Sequence, residues 1–234
     1  MYLYSMIKQT ILLIISFGFL SGSVSKINEK YKTKVFSDLL YNIVKIENGE
    51  MEFGVSETRP DNSDFYINSN FFTTEAAIGL VIIDRKRKSR RVKGGGFFYV
   101  KNGKPYVSAK KCPYMTEYSS QTILWGIDNG KVNEDLISKN HAKQKRYRTL
   151  MGQNSNGDII IVSSNRIGFV TIKELLDFSK RYDIIDGILL DGGTSVDYKF
   201  SGNNGEVKFA SVPDVIKKEV GIKTPTTYIY GNFK

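Results

Sequence analysis

Ile188-Leu-Leu-Asp-Gly-Gly-Thr-Ser195 sets three apolar residues before an acid, two residues without side chains and two hydroxyls. An apolar run of this kind reads as a buried strand, so Asp191 is delivered to the edge of a core. At Gly192 and Gly193 backbone can approach a ligand closely and amide N–H groups can face an anion, while Thr194 and Ser195 bring hydroxyls to the same rim. An isolated Asp-Gly-Gly is more simply a tight turn in which the acid bonds the backbone two residues on. The buried strand in front of it weighs against that reading.

Working back from this stretch, Thr171-Ile-Lys-Glu174 is a capping box, and Ile172, Leu175 and Leu176 recur at helical spacing toward Arg181. Ile159 to Val162 reads as a strand before it, and Asp183 to Leu190 runs into a strand after it. Strand, helix, strand in that order is a crossover unit, which makes two strands parallel.

Further out, short runs rich in β-branched and aromatic residues predict strands at Leu40 to Ile46, Glu52 to Val55, Phe65 to Ile67, Ile78 to Ile83, Phe97 to Val100 and Ile123 to Ile127. Toward the C-terminus the same signal covers Val196 to Phe200, Val207 to Phe209 and Thr227 to Tyr230. Asn102-Gly103, Asn129-Gly130 and Asn156-Gly157 each supply the positive-φ pair of a tight hairpin. A second helix is expected over Val212 to Val220, and residues 131–146 read as a long polar excursion. The expected class is α+β: one domain with a mixed, mostly antiparallel sheet and a few packed helices.

The chain has 234 residues, 41% of them apolar, enough for one full core and too few for two large domains. Ile11 to Leu20 is an apolar run preceded by Lys8 and followed by Ser21-Gly-Ser23, so residues 1–23 read as a signal peptide, with an uncleaved anchor as the other reading. Residues 24–39 are then a polar lead-in, and 40–234 the catalytic domain of a secreted, periplasmic or cell-surface protein. Membrane contact is expected only through the N-terminal segment, if it is kept. Cys112 is the only cysteine, which excludes an internal disulfide and a cysteine-cluster metal site.

A net charge of +10 favours polyanions such as cell-wall or capsular polymers. Its densest run, Arg85-Lys-Arg-Lys-Ser-Arg-Arg91, reads as a solvated hairpin connection, and no motif for specific nucleic-acid recognition is present. His141 is the only histidine, in a polar stretch that reads as surface. Two-histidine phosphodiesterase chemistry is therefore excluded, and carboxylates, amides, hydroxyls and arginine must carry any reaction.

Two further clusters could do so. In Phe65-Tyr-Ile-Asn-Ser-Asn-Phe-Phe72, the amides of Asn68 and Asn70 sit among aromatics, a pairing suited to sugar hydroxyls or a phosphate. Arg148, in Arg148-Thr-Leu-Met-Gly152, could clamp a phosphate bidentately.

Asn68 to Phe72, Gly95 to Phe98 with Asn102-Gly103, Ser120-Gln121 leading to Asp128-Asn-Gly-Lys131, Arg148 with Gly152, a capped helix and Leu190-Asp-Gly-Gly-x-Ser195 occur in one order. In that order they resemble the phosphodiester glycosidase family over roughly residues 40–232. The sequence departs from the family pattern at Thr194, where a third glycine is usual, at Ser69 and Asn70, where a Gly-Gly pair is usual, and at Thr122-Ile-Leu124, where Ser-Gly-Pro is usual.

The resemblance implies a hydrolase of sugar-1-phosphodiesters, similar to an α-N-acetylglucosaminidase, whose substrate is a carbohydrate or sugar phosphate and anionic. Arg148 is then expected to bind the phosphate, Asn68 and Gln121 to position polar groups, and Asp191 to act as acid, base or cation ligand. Asn70, Thr194 and Ser195 are expected at the substrate, with the Gly192 and Gly193 amides forming an anion nest. Asp197, Glu75 and Glu117 are equal candidates for a second carboxylate. A divalent cation such as calcium is compatible, though no calcium-loop motif is present. The other reading is non-catalytic binding of an anionic cell-wall or capsular polysaccharide.

Overall fold

The computed structural model describes residues 33–73, 76–111, 114–202, 205–221 and 227–234. The expected leader at 1–23, Glu75 and Cys112 lie outside these residues.

In chain order the strands are β1 (Lys34–Ser37), β2 (Tyr41–Ile46), β3 (Met51–Ser56), β4 (Phe65–Asn68), β5 (Val81–Ile83), β6 (Lys86–Arg87), β7 (Phe97–Lys101), β8 (Lys104–Ser108), β9 (Tyr118–Gln121), β10 (Leu124–Asp128) and β11 (Lys131–Val132). They continue as β12 (Thr149–Asn154), β13 (Ile159–Ser164), β14 (Ile184–Leu189), β15 (Asp197–Gly202), β16 (Gly205–Ala210) and β17 (Tyr228–Phe233). The helices are α1 (Glu134–Ser138), α2 (Asn140–Lys143), α3 (Ile172–Ser179) and α4 (Asp214–Glu219).

Three sheets result. Seven strands run β1-β2-β13-β12-β14-β10-β11, five run β16-β15-β4-β17-β3, and five run β6-β5-β9-β7-β8. Every ladder among the described residues is antiparallel. The crossover shows in direction: β13 and β14 both pair antiparallel with β12, so they run parallel to each other with one strand between them. The class is α+β, as expected.

The continuous apolar runs of β13 and β14 follow from burial on both faces. Ile159, Ile161 and Ile188 face a core shared with Phe53, Phe65 and Phe200 of the second sheet and Phe98 and Val107 of the third. Ile160, Val162 and Leu189 face the opposite way, against Ile172, Leu175 and Leu176 of α3. The central sheet is thus packed between helices and strands.

Several local expectations need correction. Residues 131–146 are not a structureless excursion: Asn133 caps α1 through a bond from Leu136 N–H (3.1 Å), and Leu136 and Ala142 are buried. Asn156-Gly157 is not a two-residue turn, because only Gly157 has positive φ and four residues separate β12 from β13. Asn102-Gly103 and Asn129-Gly130 do carry the positive-φ pair. Lys34–Ser37, in the lead-in, forms an edge strand on β2, with Val35 in the core. The basic run makes a hairpin whose Asp84-Arg85 turn has φ of 50° and 64°, and residues 85–88 are exposed.

Candidate active site

Beyond β14 the chain is held from two sides. Leu190 N–H donates to the Thr149 carbonyl (3.1 Å) and Gly193 N–H to that of Tyr147 (2.9 Å), both at the start of β12. Asp191 N–H donates to the Ser69 carbonyl (3.0 Å), and Asn68 Nδ2 donates to the Asp191 carbonyl (3.2 Å), both from the end of β4. A Cβ on Gly192 would lie 2.7 Å from the Tyr147 carbonyl oxygen, so the approach of the two segments requires glycine there. Gly193 has φ +65°, the left-handed region that glycine enters without strain.

The pinned turn leaves the Asp191 side chain 7% exposed. Burial pushes its carboxyl up to about 6, against the opposing effects of hydrogen bonds from Ser195 and from Gly192 N–H (2.9 Å). It can therefore hold or release a proton near neutral pH.

Beside it lies a cleft of about 390 Å³ lined by Arg146, Tyr147, Phe169, Gly192, Gly193, Thr194 and Ser211. Tyr147 and Phe169 form an aromatic wall, with ring centroids 4.3 Å apart. Arg146 is the only charged residue in this lining; it bonds Gln144, and among the described residues it has no carboxylate partner. Arg148, two residues on, is half-buried. Its Nη2 donates to the carbonyls of His141 (2.8 Å) and Gln144 (3.1 Å), and its Nε is buried without a partner. Burial and then repulsion from Arg146 hold the Arg148 guanidinium below its ordinary pKa. With no carboxylate partner for either among the described residues, the two cations make this side of the cleft attractive to an anion.

The structure thus brings Asn68, Asn70, Gln121, Asp191 and Ser195 into one region, where the three amide side chains are taken up by bonds within the protein. Asn68 is fully buried: besides its bond to Asp191, its Oδ1 accepts Asp197 N–H (2.9 Å). The side chains of Asn70, Ser69 and Ser120 bond one another, and Asn70 Nδ2 donates to the Ile78 and Gln121 carbonyls. Gln121 is committed on all sides, its Oε1 accepting from Leu80 (3.0 Å) and Val92 (3.1 Å) and its Nε2 donating to the carbonyls of Val92 (2.9 Å) and Gly94 (2.7 Å). These amides brace the site. The expected anion nest is not formed, since the Gly192 and Gly193 N–H groups are used by Asp191 and Tyr147.

Neither described candidate for a second carboxylate lines the cleft. Asp197 lies behind Asn68, bound by Arg59 (3.4 Å) and Tyr228 OH (3.1 Å), and Glu117 lines a separate groove with Tyr118 and Tyr230. Among the described residues no group of three or more His, Cys, Asp and Glu is gathered to hold a metal. No helix there is long and apolar enough to cross a membrane.

Sequence reasoning missed Arg146, Tyr147, Phe169 and Ser211. The Arg-Tyr-Arg triplet at 146–148 was a signal for the first two, since it sets a ring between two cations. Phe169 and Ser211 carried none.

No curated protein matches the sequence. By structure the chain is similar to the zebrafish N-acetylglucosamine-1-phosphodiester α-N-acetylglucosaminidase catalytic domain auto-inhibited by pro-peptide, at TM-score 0.65 and 13% identity over 86% of this chain and 82% of that one. It is also similar to a hypothetical protein from Synechocystis, at TM-score 0.60 and 10% identity over 86% of this chain and 61% of that one. The family model for phosphodiester glycosidases matches residues 61–220, which is most of the chain, and with it this protein belongs to the phosphodiester glycosidase family.

Proposed function

We propose that this protein hydrolyses the bond between C1 of a sugar and the phosphate of a sugar-1-phosphodiester, on an exported or cell-surface glycan, with Asp191 as the base. The observation that carries this reading is the pairing of a buried carboxylate, raised to about 6, with a cleft whose only charged lining residue is an arginine lacking a carboxylate partner among the described residues.

The departing phosphate monoester is already a stable anion, so no general acid is needed at the leaving oxygen. That is compatible with a cleft that has no carboxylate among its lining residues, Asp191 being next in the chain to the lining residue Gly192. Asp191 takes a proton from water, the water oxygen bonds to C1, and the C1–O electron pair leaves with the phosphate. Arg146, with the Arg148 charge behind it, holds the phosphate, and the Tyr147–Phe169 wall offers the sugar a stacking face.

The name of the zebrafish neighbour suggests the first sugar to try, so the test uses the methyl phosphodiester of N-acetylglucosamine within a panel of sugar-1-phosphodiesters. Reducing sugar and phosphate monoester are expected in equal amounts. Arg146→Ala should raise KM about tenfold or more with kcat little changed, as loss of a charge-assisted contact requires. Full turnover by a folded Asp191→Asn protein would end this assignment.

A further inference from the structure

We infer that the mouth of the cleft docks on an anionic lipid bilayer, so that the phosphodiester it takes is anchored there by a long apolar alcohol; the substrate half of this inference rests on the function proposed above. Phe169 (51% exposed) lines the cleft, and two more exposed apolar residues, Ile167 (59%) and Leu39 (74%), lie on the segments bonded to its wall.

They belong to one ridge. Asn165 Nδ2 donates to the carbonyls of Asp38 (3.1 Å) and Leu39 (2.9 Å), and Asn165 N–H donates to that of Leu40 (3.0 Å). Tyr147 OH bonds the Arg166 carbonyl (3.0 Å), and Phe169 packs on the Tyr147 ring, so the ridge is continuous with the cleft wall. A backbone pinned in this way keeps its apolar side chains from folding back under the surface. The segment that supplies Ser211 to the lining leads into α4, where Val215 (69%) and Ile216 (46%) are exposed as well.

Apolar side chains gathered in this way mark an interaction surface. The charge around them indicates its occupant. Arg146 lines the cleft, Arg166 is an exposed residue of the ridge, Lys145 is paired with Glu174 (3.8 Å), and Asp38 is the acid of the ridge, on a chain of net charge +10. Apolar side chains among cations fit the boundary between acyl chains and anionic headgroups. A polysaccharide in water has no apolar phase to receive Leu39 and Ile167.

The test places a polarity-sensitive fluorophore on the ridge of the full chain, using Cys112→Ser with Ile167→Cys. A control carries the label at Asn102→Cys, in the β7–β8 turn. With phosphatidylglycerol vesicles the label at 167 should shift to the blue and brighten about twofold, with little change on phosphatidylcholine, and the label at 102 should not respond. The N-terminal apolar segment cannot produce this contrast, because both labelled proteins carry it.

A second arm compares kcat/KM for a vesicle-borne long-chain ester of N-acetylglucosamine-1-phosphate with that for its methyl ester. Leu39→Ser with Ile167→Ser should lower the ratio about tenfold and leave the methyl ester unaffected, because neither residue lines the cleft. Absence of a shift at 167 overturns the docking surface, including the case in which a protein partner covers the ridge. A shift without cleavage of either ester leaves the docking surface standing and overturns the glycosidase reading.

Discussion

A carboxylate 7% exposed and raised to about 6 is a cost to the fold as well as a tool for chemistry. The folded state favours the protonated form, so the penalty is absent below the unfolded pKa of about 4, grows as pH rises toward 6, and is fully present above it. A rise of this size corresponds to roughly 3 kcal/mol at most. Asp191→Asn should therefore stabilise the protein by about 1 to 3 kcal/mol at pH 8 and by almost nothing at pH 4 while abolishing turnover, as denaturant titrations at the two pH values would read. For the native enzyme, kcat/KM should rise with pH through about 6 as Asp191 ionises. The burial of Asp191 was legible in the sequence because an acid directly after a buried strand is carried to the edge of the core. The difference in setting between Arg146 and Arg148 was not. It depends on Arg146 bridging Val170 while Arg148 turns toward the carbonyls of the α1–α2 segment, a relation between pieces distant along the chain.

At the scale of elements, α3 shows how a local signal holds a distant site. Thr171 Oγ1 accepts Glu174 N–H (3.1 Å) and Glu174 returns the bond to Thr171 N–H (2.7 Å), closing the capping box read from the sequence. Phe169 and Val170 lie just before this cap, so its rigidity reaches the aromatic wall. Thr171→Ala should cost about 1 kcal/mol in thermal or denaturant unfolding, with a rise in KM larger than the fall in kcat. Strands with β-branched runs were legible for the same local reason. β8, β9 and β12 were not. β8 contains Pro105, tolerated because this strand is the edge of its sheet. β9 is Tyr-Ser-Ser-Gln, polar in sequence yet buried, because Ser120 and Gln121 find their partners inside. In β12, Gly152 stands where a Cβ would come within 2.5 Å of Ile184, so the position is set by a neighbour that the sequence does not place beside it.

For the whole molecule, α+β composition was legible, but the division into three sheets and their strand orders was not. Pairing such as β2 with β13 joins residues more than a hundred positions apart, as in Ile46 beside Ile159. The second sheet is the extreme case, since β17 lies between β3 and β4 and bonds to both. A chain ending at residue 226 should leave β3 and β4 without a common partner, lose cooperative unfolding and become sensitive to protease throughout.

That placement of β17 also orders events in the cell. While Tyr228–Phe233 is still inside the ribosome, β3 and β4 face a gap that no earlier strand fills. The domain therefore closes only after synthesis has passed this point. Until then the second sheet is incomplete, and a stall placed just before β17 should leave the nascent chain sensitive to protease.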